Sequence, residues 1–585
     1  MAPIVYRNTG PEPWVDIPNL DLLTLLFDSE HAPWPPETVL HVDAKDPTNQ
    51  LTKASLSTLT RRIAHGLRTN YGIGAHGAGR DVVTVISHGQ ILVPALFFGI
   101  IAAGGVYSAA SPHSTPAELA RQVTLGRSGL VVCSAEFVEL LRRTAPECGN
   151  GGGLPLRNVL VLDSAPGAWS LRSVEGGINC ISAQLLDWER VTDPVALKAS
   201  LIVILWSSGT TGLPKGVMLS HLNLVAETYI TALSGRAWGA RQVELGNELP
   251  PYRTLAHLPI SHIAGLFGYL IGPQYSGGLV VWLRKYNWVD FYTSVSKFGV
   301  TALYTVPSIF LRIAKSEEVK DHFRTVESAI TGAAPMDGVL QRAANERLGR
   351  KVGGTGKEET YIGQTWGLSE TTGAVTAVPK GEVDESGCIG FVLPNVEIRQ
   401  IDDELRDVKP GEPGHMVVRS PLVTNGYFDN PKATEEAFVQ LPDDDGDKWF
   451  CTGDIAVIRD GKFYIVDRMK ELLKYKGLQV APAEIENILA SHTGVAEAAV
   501  VGIPGTEEGE VGSDLPRAYV VRKDESLTEG QLKDFVKSQL ASYKQLRGGV
   551  VFIDEIPKNA IGKYLRRELR ERAKKEVASP GKAKL

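Results

Sequence analysis

At 585 residues and 43% apolar content the chain is too long for one hydrophobic core and rich enough to bury two or more. A formal net charge of -6 argues against a general binder of nucleic acid or of anionic membranes. The five cysteines (Cys133, Cys148, Cys180, Cys388 and Cys451) are scattered and contain no Cys-x-x-Cys pair. They indicate neither a disulfide framework nor a zinc site, and they fit a reducing compartment. The first residues lack a basic stretch followed by an apolar one, so no secretory signal is expected.

Residues 1 to about 200 alternate short β-branched runs, at 82–86, 130–133 and 159–162, with helical patterns. That alternation predicts a doubly wound α/β arrangement. Residues 91–110 are nearly uncharged and could span a bilayer by length. Pro94, Gly99 and the pair Gly104-Gly105 interrupt them, so the expectation is a buried helix up to Ala103, a turn, and a strand from Val106. The protein is therefore not expected to be integral to a membrane. Residues 149–153 read as a flexible surface loop.

The densest chemistry follows an apolar run from Leu201 to Trp206 with the length and branching of a buried strand. Next come Ser207, Ser208, Gly209, Thr210, Thr211, Gly212, Leu213, Pro214 and Lys215. Glycines let successive backbone N–H groups face one concavity, hydroxyls add donors and Lys215 adds positive charge, which suits a polyphosphate. It is not a Walker loop, because the Gly-Lys-Ser/Thr ending is missing.

Beyond it, 255–260, 278–283 and 300–304 read as further buried strands, and 352–359 and 442–448 as charged loops. From about Phe391 the pattern becomes short strands between turns, including 396–401 and 415–419. A second break falls at Val466-Asp467-Arg468-Met469-Lys470. After it come a helix from Pro482 to Leu489 with Ile485, Ile488 and Leu489 on one face, and strands near 498–502 and 518–521. Thr528-Glu529-Gly530-Gln531 reads as a capping box opening a helix with Leu532, Phe535 and Val536 inward. The expected fold class is α/β. A large N-terminal domain, 1–468, would hold doubly wound subdomains and a β-rich subdomain; a small α+β domain would span 469–585.

In their joint order these motifs resemble the adenylate-forming superfamily, in its acyl-CoA synthetase and 4-coumarate–CoA ligase branch. The resemblance runs from about Asp81 to Lys563. It implies that Ser207 to Lys215 closes over the phosphates of ATP, and that Gly332-Ala333-Ala334-Pro335 borders adenine. Gln364-Thr365-Trp366-Gly367-Leu368-Ser369-Glu370 is similar to the family's Gln-Gly-Tyr-Gly-Met-Thr-Glu. By that likeness Trp366 stacks on adenine, Ser369 contacts phosphate, Gln364 and Thr365 border the nucleotide, and Glu370 holds Mg²⁺, a cation that prefers oxygen ligands. Phe450-Cys451-Thr452-Gly453-Asp454 supplies Asp454 for the ribose hydroxyls, with Arg468 as a further donor.

The same likeness makes Lys470 the hinge of a mobile C-terminal domain, and Gln479 a border of the nucleotide. Lys474, Lys476 and Gly477 would line the approach of CoA, with Lys285 at the CoA nucleotide. Lys563, in Pro557-Lys558-Asn559-Ala560-Ile561-Gly562-Lys563, is the implied catalytic lysine. The implied reaction forms an acyl-adenylate from a carboxylic acid and ATP with release of pyrophosphate, then passes the acyl group to CoA.

For the acid, Leu258-Pro259-Ile260-Ser261-His262-Ile263-Ala264-Gly265 resembles the acyl-pocket segment with His262 at its gate and in a catalytic role. Amino-acid-activating relatives place an acidic residue here; its absence points to an unaminated acid. Hydroxycinnamate ligases carry Tyr where this chain has Ala264, and the family usually has Gly where this chain has Thr365. The pocket, lined also by Gly332, is expected to favour an aryl-acetic, medium-chain or branched acid over coumarate. Only 22 residues follow Lys563, which favours free CoA over a carrier in cis. Two alternatives stay open: delivery to a separate carrier protein, and a non-catalytic nucleotide-binding relative. Ala583-Lys584-Leu585 is close to the Ser-Lys-Leu peroxisomal address, so the expected location is the peroxisome, reached through its import receptor.

Overall fold

The computed structural model describes residues 3–149, 152–207, 214–348, 360–444, 446–468, 471–475, 478–505, 513–540, 542–558 and 564–578. Its N-terminal half is organised by a seven-stranded sheet in the order Ser170–Ser173, Val159–Asp163, Leu130–Ser134, Val82–Ile86, Val106–Ala110, Leu201–Ser207, Lys215–Ser220. The five inner strands are parallel and each edge strand is antiparallel. Val83, Val85 and Val132 face one core with the helices Lys53–Tyr71 and Val93–Ala102. Ile86, Val131 and Cys133 face another with Pro116–Leu125 and Val138–Thr144. Burial on both faces is why these strands read as unbroken apolar runs, and it makes the sheet doubly wound.

The stretch 91–110 folds as expected: helix Val93–Ala102, a turn with Gly104 at φ +79°, then strand Val106–Ala110. Among the described residues no helix is long and apolar enough to cross a membrane. Of the expected loop 149–153, positions 150 and 151 lie outside the described residues, as does all of 352–359.

Two further sheets adjoin. One runs Arg253–Ala256, Leu279–Trp282, Val39–Asp43, Gln50–Thr52; the other runs Ala302–Thr305, Ser328–Thr331, Ile362–Leu368, Gly373–Ala377, Phe391–Val392. The strand expected over 255–260 stops at Ala256. Pro259 offers no N–H to a ladder, and the His262 ring caps the next short helix, Ile263–Leu266, instead. The β-rich region is an antiparallel sheet of Glu397–Ile401, Gly414–Arg419, Trp449–Arg459 and Phe438–Val439, with Lys462–Arg468 pairing the long strand. The acidic loop at 442–448 is tied down where it is described. Asp443 accepts from the buried Arg399 at 2.9 Å and Asp444 from Arg419 at 2.9 Å.

Residues 473–573 bury a core of their own, and the region is α+β. Val495–Pro504 and Asp514–Arg522 pair antiparallel, and Val550–Phe552 adds a parallel strand. Helices Pro482–Ser491, Glu529–Gln539 and Arg566–Ala578 accompany the sheet. The capping box at Thr528 and Gln531 is present, with Leu532 and Val536 buried. Phe535 is not inward as expected: it is half-buried, its ring edge-on to His492 at 4.9 Å, because the sheet fills only the stripe through 532 and 536. The C-terminal region meets the larger one where Lys315 donates to the backbone oxygen of Val495 at 2.9 Å.

Candidate active site

The phosphate-loop candidate follows the strand Leu201–Ser207, and Ser208 to Gly212 lie outside the described residues. Its two ends are held together, because Ser207 and Lys215 are register partners of an antiparallel pair. Strand Lys215–Ser220 is also clasped from its other side: Phe428 donates its N–H to Gly216 at 2.7 Å and Met218 donates to Gly426 at 3.0 Å. That clasp carries Tyr427 to the strand. The Lys215 ammonium sits over its ring, 4.9 Å from the centroid, and its hydroxyl donates to Glu370 Oε1 at 3.0 Å. Burial first, and then the charge of Glu370, push the Tyr427 phenol up, so it stays a donor. Lys215 and Glu370, far apart in sequence, are thus joined through one ring.

Ser369 and Glu370 lie in a single 3-10 turn, Ser369–Thr371, which ends the strand Ile362–Leu368. Thr424 donates its N–H to the Glu370 carbonyl at 2.8 Å, fixing the backbone from the same clasp. Trp366, in the strand, is buried and donates its indole N–H to Asp454 Oδ2 at 2.9 Å. Asp454 is itself only 3% exposed, and its backbone pairs across the hairpin with that of Arg468. A carboxylate so deep is held by an oriented donor, which places Trp366 and Asp454 as one unit.

Gln364 differs from expectation. Its amide donates to the Met336 carbonyl at 2.7 Å and accepts from the Met336 N–H at 3.2 Å. The side chain is spent on anchoring the segment after Gly332 instead of reaching a base. In that segment Ala333 is exposed and adopts φ +69°. A left-handed alanine is a sparsely populated conformation that only a fixed surrounding sustains.

At the acyl end, Thr365 donates to the Thr376 carbonyl at 2.8 Å, and its methyl covers Gly332. A Cβ on Gly332 would come within 3.1 Å of Thr365 Cγ2 and 3.7 Å of the Tyr304 hydroxyl. Tyr304 also roofs Gly268, where a Cβ would lie 3.2 Å from its ring. His262 is half-buried, with Nδ1 accepting the Ala264 N–H at 3.3 Å, and Ala264 is buried. The helix after His262 and the end of strand Ser328–Thr331 therefore converge on Tyr304.

Lys285 is exposed after the strand Leu279–Trp282, and its charge helps keep the His113 ring below its ordinary pKa, behind burial and His88. Lys470, Lys476, Gly477 and Lys563 lie outside the described residues, as do the side chains of Arg468, Lys474 and Gln479. The backbones of Lys474 and Gln479 pair in the hairpin Leu473–Tyr475, Leu478–Val480. Among the described residues no cluster of three or more His, Cys, Asp or Glu side chains could hold a metal unaided.

Sequence reasoning passed over Tyr427, Tyr304 and Glu227. None left a local signal: Glu227 falls on one helical stripe with Asn223 and Thr231, as an ordinary polar face would.

Comparisons with known proteins identify the family. The AMP-binding enzyme family model matches residues 28–428, and the AMP-binding enzyme C-terminal domain matches 484–563. A protein of Emericella nidulans with the provisional name acyl-coenzyme A synthetase is 46% identical over 98% of this chain and 99% of its own. A phenylacetyl-CoA ligase of Aspergillus niger is 32% identical over 95% of this chain and 98% of its own. The ATP-bound MatB structure from Rhodopseudomonas palustris superposes with TM-score 0.78 at 26% identity, covering 95% of this chain and 99% of that one. With its fold, its nucleotide-site motifs and full-length relatives in agreement, this chain belongs to the AMP-binding enzymes.

Proposed function

We propose that the protein is an AMP-forming acyl-CoA ligase. A carboxylate oxygen of the acid attacks the α-phosphorus of ATP, the bond to the β-phosphate breaks and pyrophosphate leaves. The sulfur of CoA then attacks the acyl carbonyl and AMP departs. The observation that carries this reading is the Lys215–Tyr427–Glu370 chain, in which one ring links a cation at the start of strand Lys215–Ser220 to a carboxylate.

In this reading the loop grips the leaving pyrophosphate with Lys215, and Ser369 adds a donor. Asp454 takes the ribose hydroxyls beside Arg468, while Trp366 and the Ala333 backbone flank adenine. Glu370 fits a Mg²⁺ carried in with ATP: Tyr427 fixes one carboxylate oxygen and no other described residue bonds it. The ion would neutralise charge on the phosphates. Lys563 meets the charge that develops as two anions combine. At an effective dielectric of about 20, one positive charge at about 4 Å supplies roughly 4 kcal/mol, about three decades of rate when felt in the transition state.

Lys470 acts as hinge between the half-reactions, and Lys285, Lys474, Lys476 and Gly477 receive CoA. His262, Ala264, Gly332 and Thr365 hold an unaminated aryl-acetic, medium-chain or branched acid. The Ala583-Lys584-Leu585 tripeptide directs the protein to the peroxisome, and its deletion leaves the protein in the cytosol; continued import would refute that. Pyrophosphate and AMP release across a panel of acids, with and without CoA, tests the activity. Acid-dependent AMP turnover that requires CoA is expected. Turnover stalled at one equivalent with CoA present would favour a carrier acceptor, and no acid-dependent pyrophosphate release at all would refute the ligase.

A further inference from the structure

Beside its apolar core the C-terminal region holds a largely buried set of charges. Arg566 opens the helix Arg566–Ala578, and its guanidinium reaches two carboxylates from different parts of the chain. Toward Glu486, on the helix Pro482–Ser491, it donates twice, from Nη2 to Oε2 at 2.6 Å and from Nε to Oε1 at 3.3 Å. Toward Glu471 it donates from Nη1 to Oε2. The side chains of Arg566, Glu471 and Glu486 are 14%, 12% and 12% exposed, so salt screens them little. Glu486 is fixed in turn, because its Oε1 also accepts the Val500 N–H at 2.7 Å.

The positions of these residues along the chain give the contact its meaning. Glu471 directly follows Lys470, the proposed hinge, and Arg566 lies three residues beyond Lys563. The chain enters and leaves the segment that carries Lys563 at Lys558 and Tyr564, which pair antiparallel. Leu565 donates its N–H to the Pro557 carbonyl at 2.9 Å. On the entering side Lys558 is anchored to Glu497 at 2.6 Å; on the leaving side the anchor is Arg566. One guanidinium thus spans from the exit of that segment to the first residue past the hinge, 95 residues away. The hairpin assigned above to the approach of CoA is held differently, with Leu473, Tyr475 and Val480 buried in the apolar core.

We propose that Arg566 is a positioning residue for the adenylation step. By holding Glu471 and Glu486 together, it makes the first residue after the hinge and the exit of the Lys563 segment parts of one rigid body. The angle set at Lys470 is thereby delivered to Lys563. This rests on the acyl-CoA ligase reading, with Lys470 as hinge and Lys563 as catalytic lysine. A pivot with a slack residue beside it would spread the lysine over several positions, and a misplacement of about 1 Å costs on the order of a hundredfold.

The test compares the full-length protein with Glu471→Ala, which removes the hinge-side partner and leaves Arg566 forked on Glu486. Two rates are read separately, using the acid that the wild type turns over fastest. One is pyrophosphate release from ATP and that acid; the other is thioester formation from its supplied acyl-adenylate and CoA. Pyrophosphate release should fall at least about tenfold in kcat with the KM for ATP nearly unchanged, while thioester formation stays within about twofold. Equal loss of both rates, a loss carried wholly by the KM for ATP, or unchanged pyrophosphate release would each overturn the inference while leaving the ligase intact. Should Glu471→Ala not fold, Glu471→Gln, which keeps the shape of the side chain, takes its place under the same outcomes. Failure of both to fold would show the contact to be structural and overturn the inference as well. If the wild type releases no pyrophosphate with any acid, the ligase reading fails first and this one with it.

Discussion

The two ends of the candidate site are built on opposite terms. At the nucleotide end, charged groups are paired within the protein: Tyr427 with Glu370, Lys215 over Tyr427, Trp366 with Asp454. At the proposed acyl end the neighbouring groups are glycine, threonine and tyrosine, with Thr365 bonded to the Thr376 carbonyl and the Tyr304 hydroxyl over Gly332. The proposed nucleotide end is held by internal charge pairs before any ligand enters. The proposed acyl end is held by close packing of small and uncharged groups, so shape rather than charge would discriminate there.

The largest expected effect belongs to the proposed catalytic lysine. Lys563→Ala should reduce carboxylate-dependent pyrophosphate release by about three decades while leaving thioester formation from supplied acyl-adenylate largely intact; equal loss of both steps would dissolve the assignment. Next, Tyr427→Phe removes the donor that fixes Glu370. Its kcat should fall about tenfold, the worth of one charge-assisted hydrogen bond, and the Mg²⁺ concentration for half-maximal rate should rise. An unchanged Mg²⁺ requirement would mean that the nucleotide end is less dependent on its internal pairs than the geometry implies. Trp366→Phe keeps an aromatic face but removes the N–H to Asp454. The KM for ATP should rise several-fold, about 1 kcal/mol, with acid preference untouched; a shift in acid preference would blur the division between the two ends.

An effect of a different kind is on stability below neutrality. His257, bonded to Thr305 beside Tyr304, is lowered to about 4, chiefly by burial, and His41 to about 3 for the same reason. Both rings are neutral in the folded protein. Below about pH 6.5 the unfolded chain takes up protons that the folded one refuses, so each ring removes about 1.4 kcal/mol per pH unit. That loss continues until the folded values near 4 and 3 are reached. Urea midpoints measured at pH 7, 6 and 5 should fall steadily, and a flat series would show that these rings are not held neutral.

Much of the first sheet was readable from β-branched runs, because strands buried on both faces carry no competing signal. The strand at 253–256 was read too long, since Leu258 and Ile260 are apolar and buried yet sit in a turn. Apolar character reports burial, not hydrogen bonding. Single residues inside motifs were legible as a family pattern, but what each touches was not. Gln364 sits in such a motif and spends its amide on Met336. Tyr427 and Glu227 acquire meaning only from contacts 57 and 147 residues away, to Glu370 and Ala374. Local patterns hold no trace of such partners.

The interlock of Gly332 with Thr365 has an evolutionary corollary. A side chain at 332 meets the Thr365 methyl at 3.1 Å and the Thr365 carbonyl oxygen at 3.3 Å, so shortening residue 365 relieves only one of the two close approaches to Gly332→Ala. The carbonyl stays whatever residue stands at 365, so position 332 is confined to glycine by backbone as well as by side chain. A lineage drifting from this enzyme toward relatives with a different wall is therefore expected to vary 365 before 332.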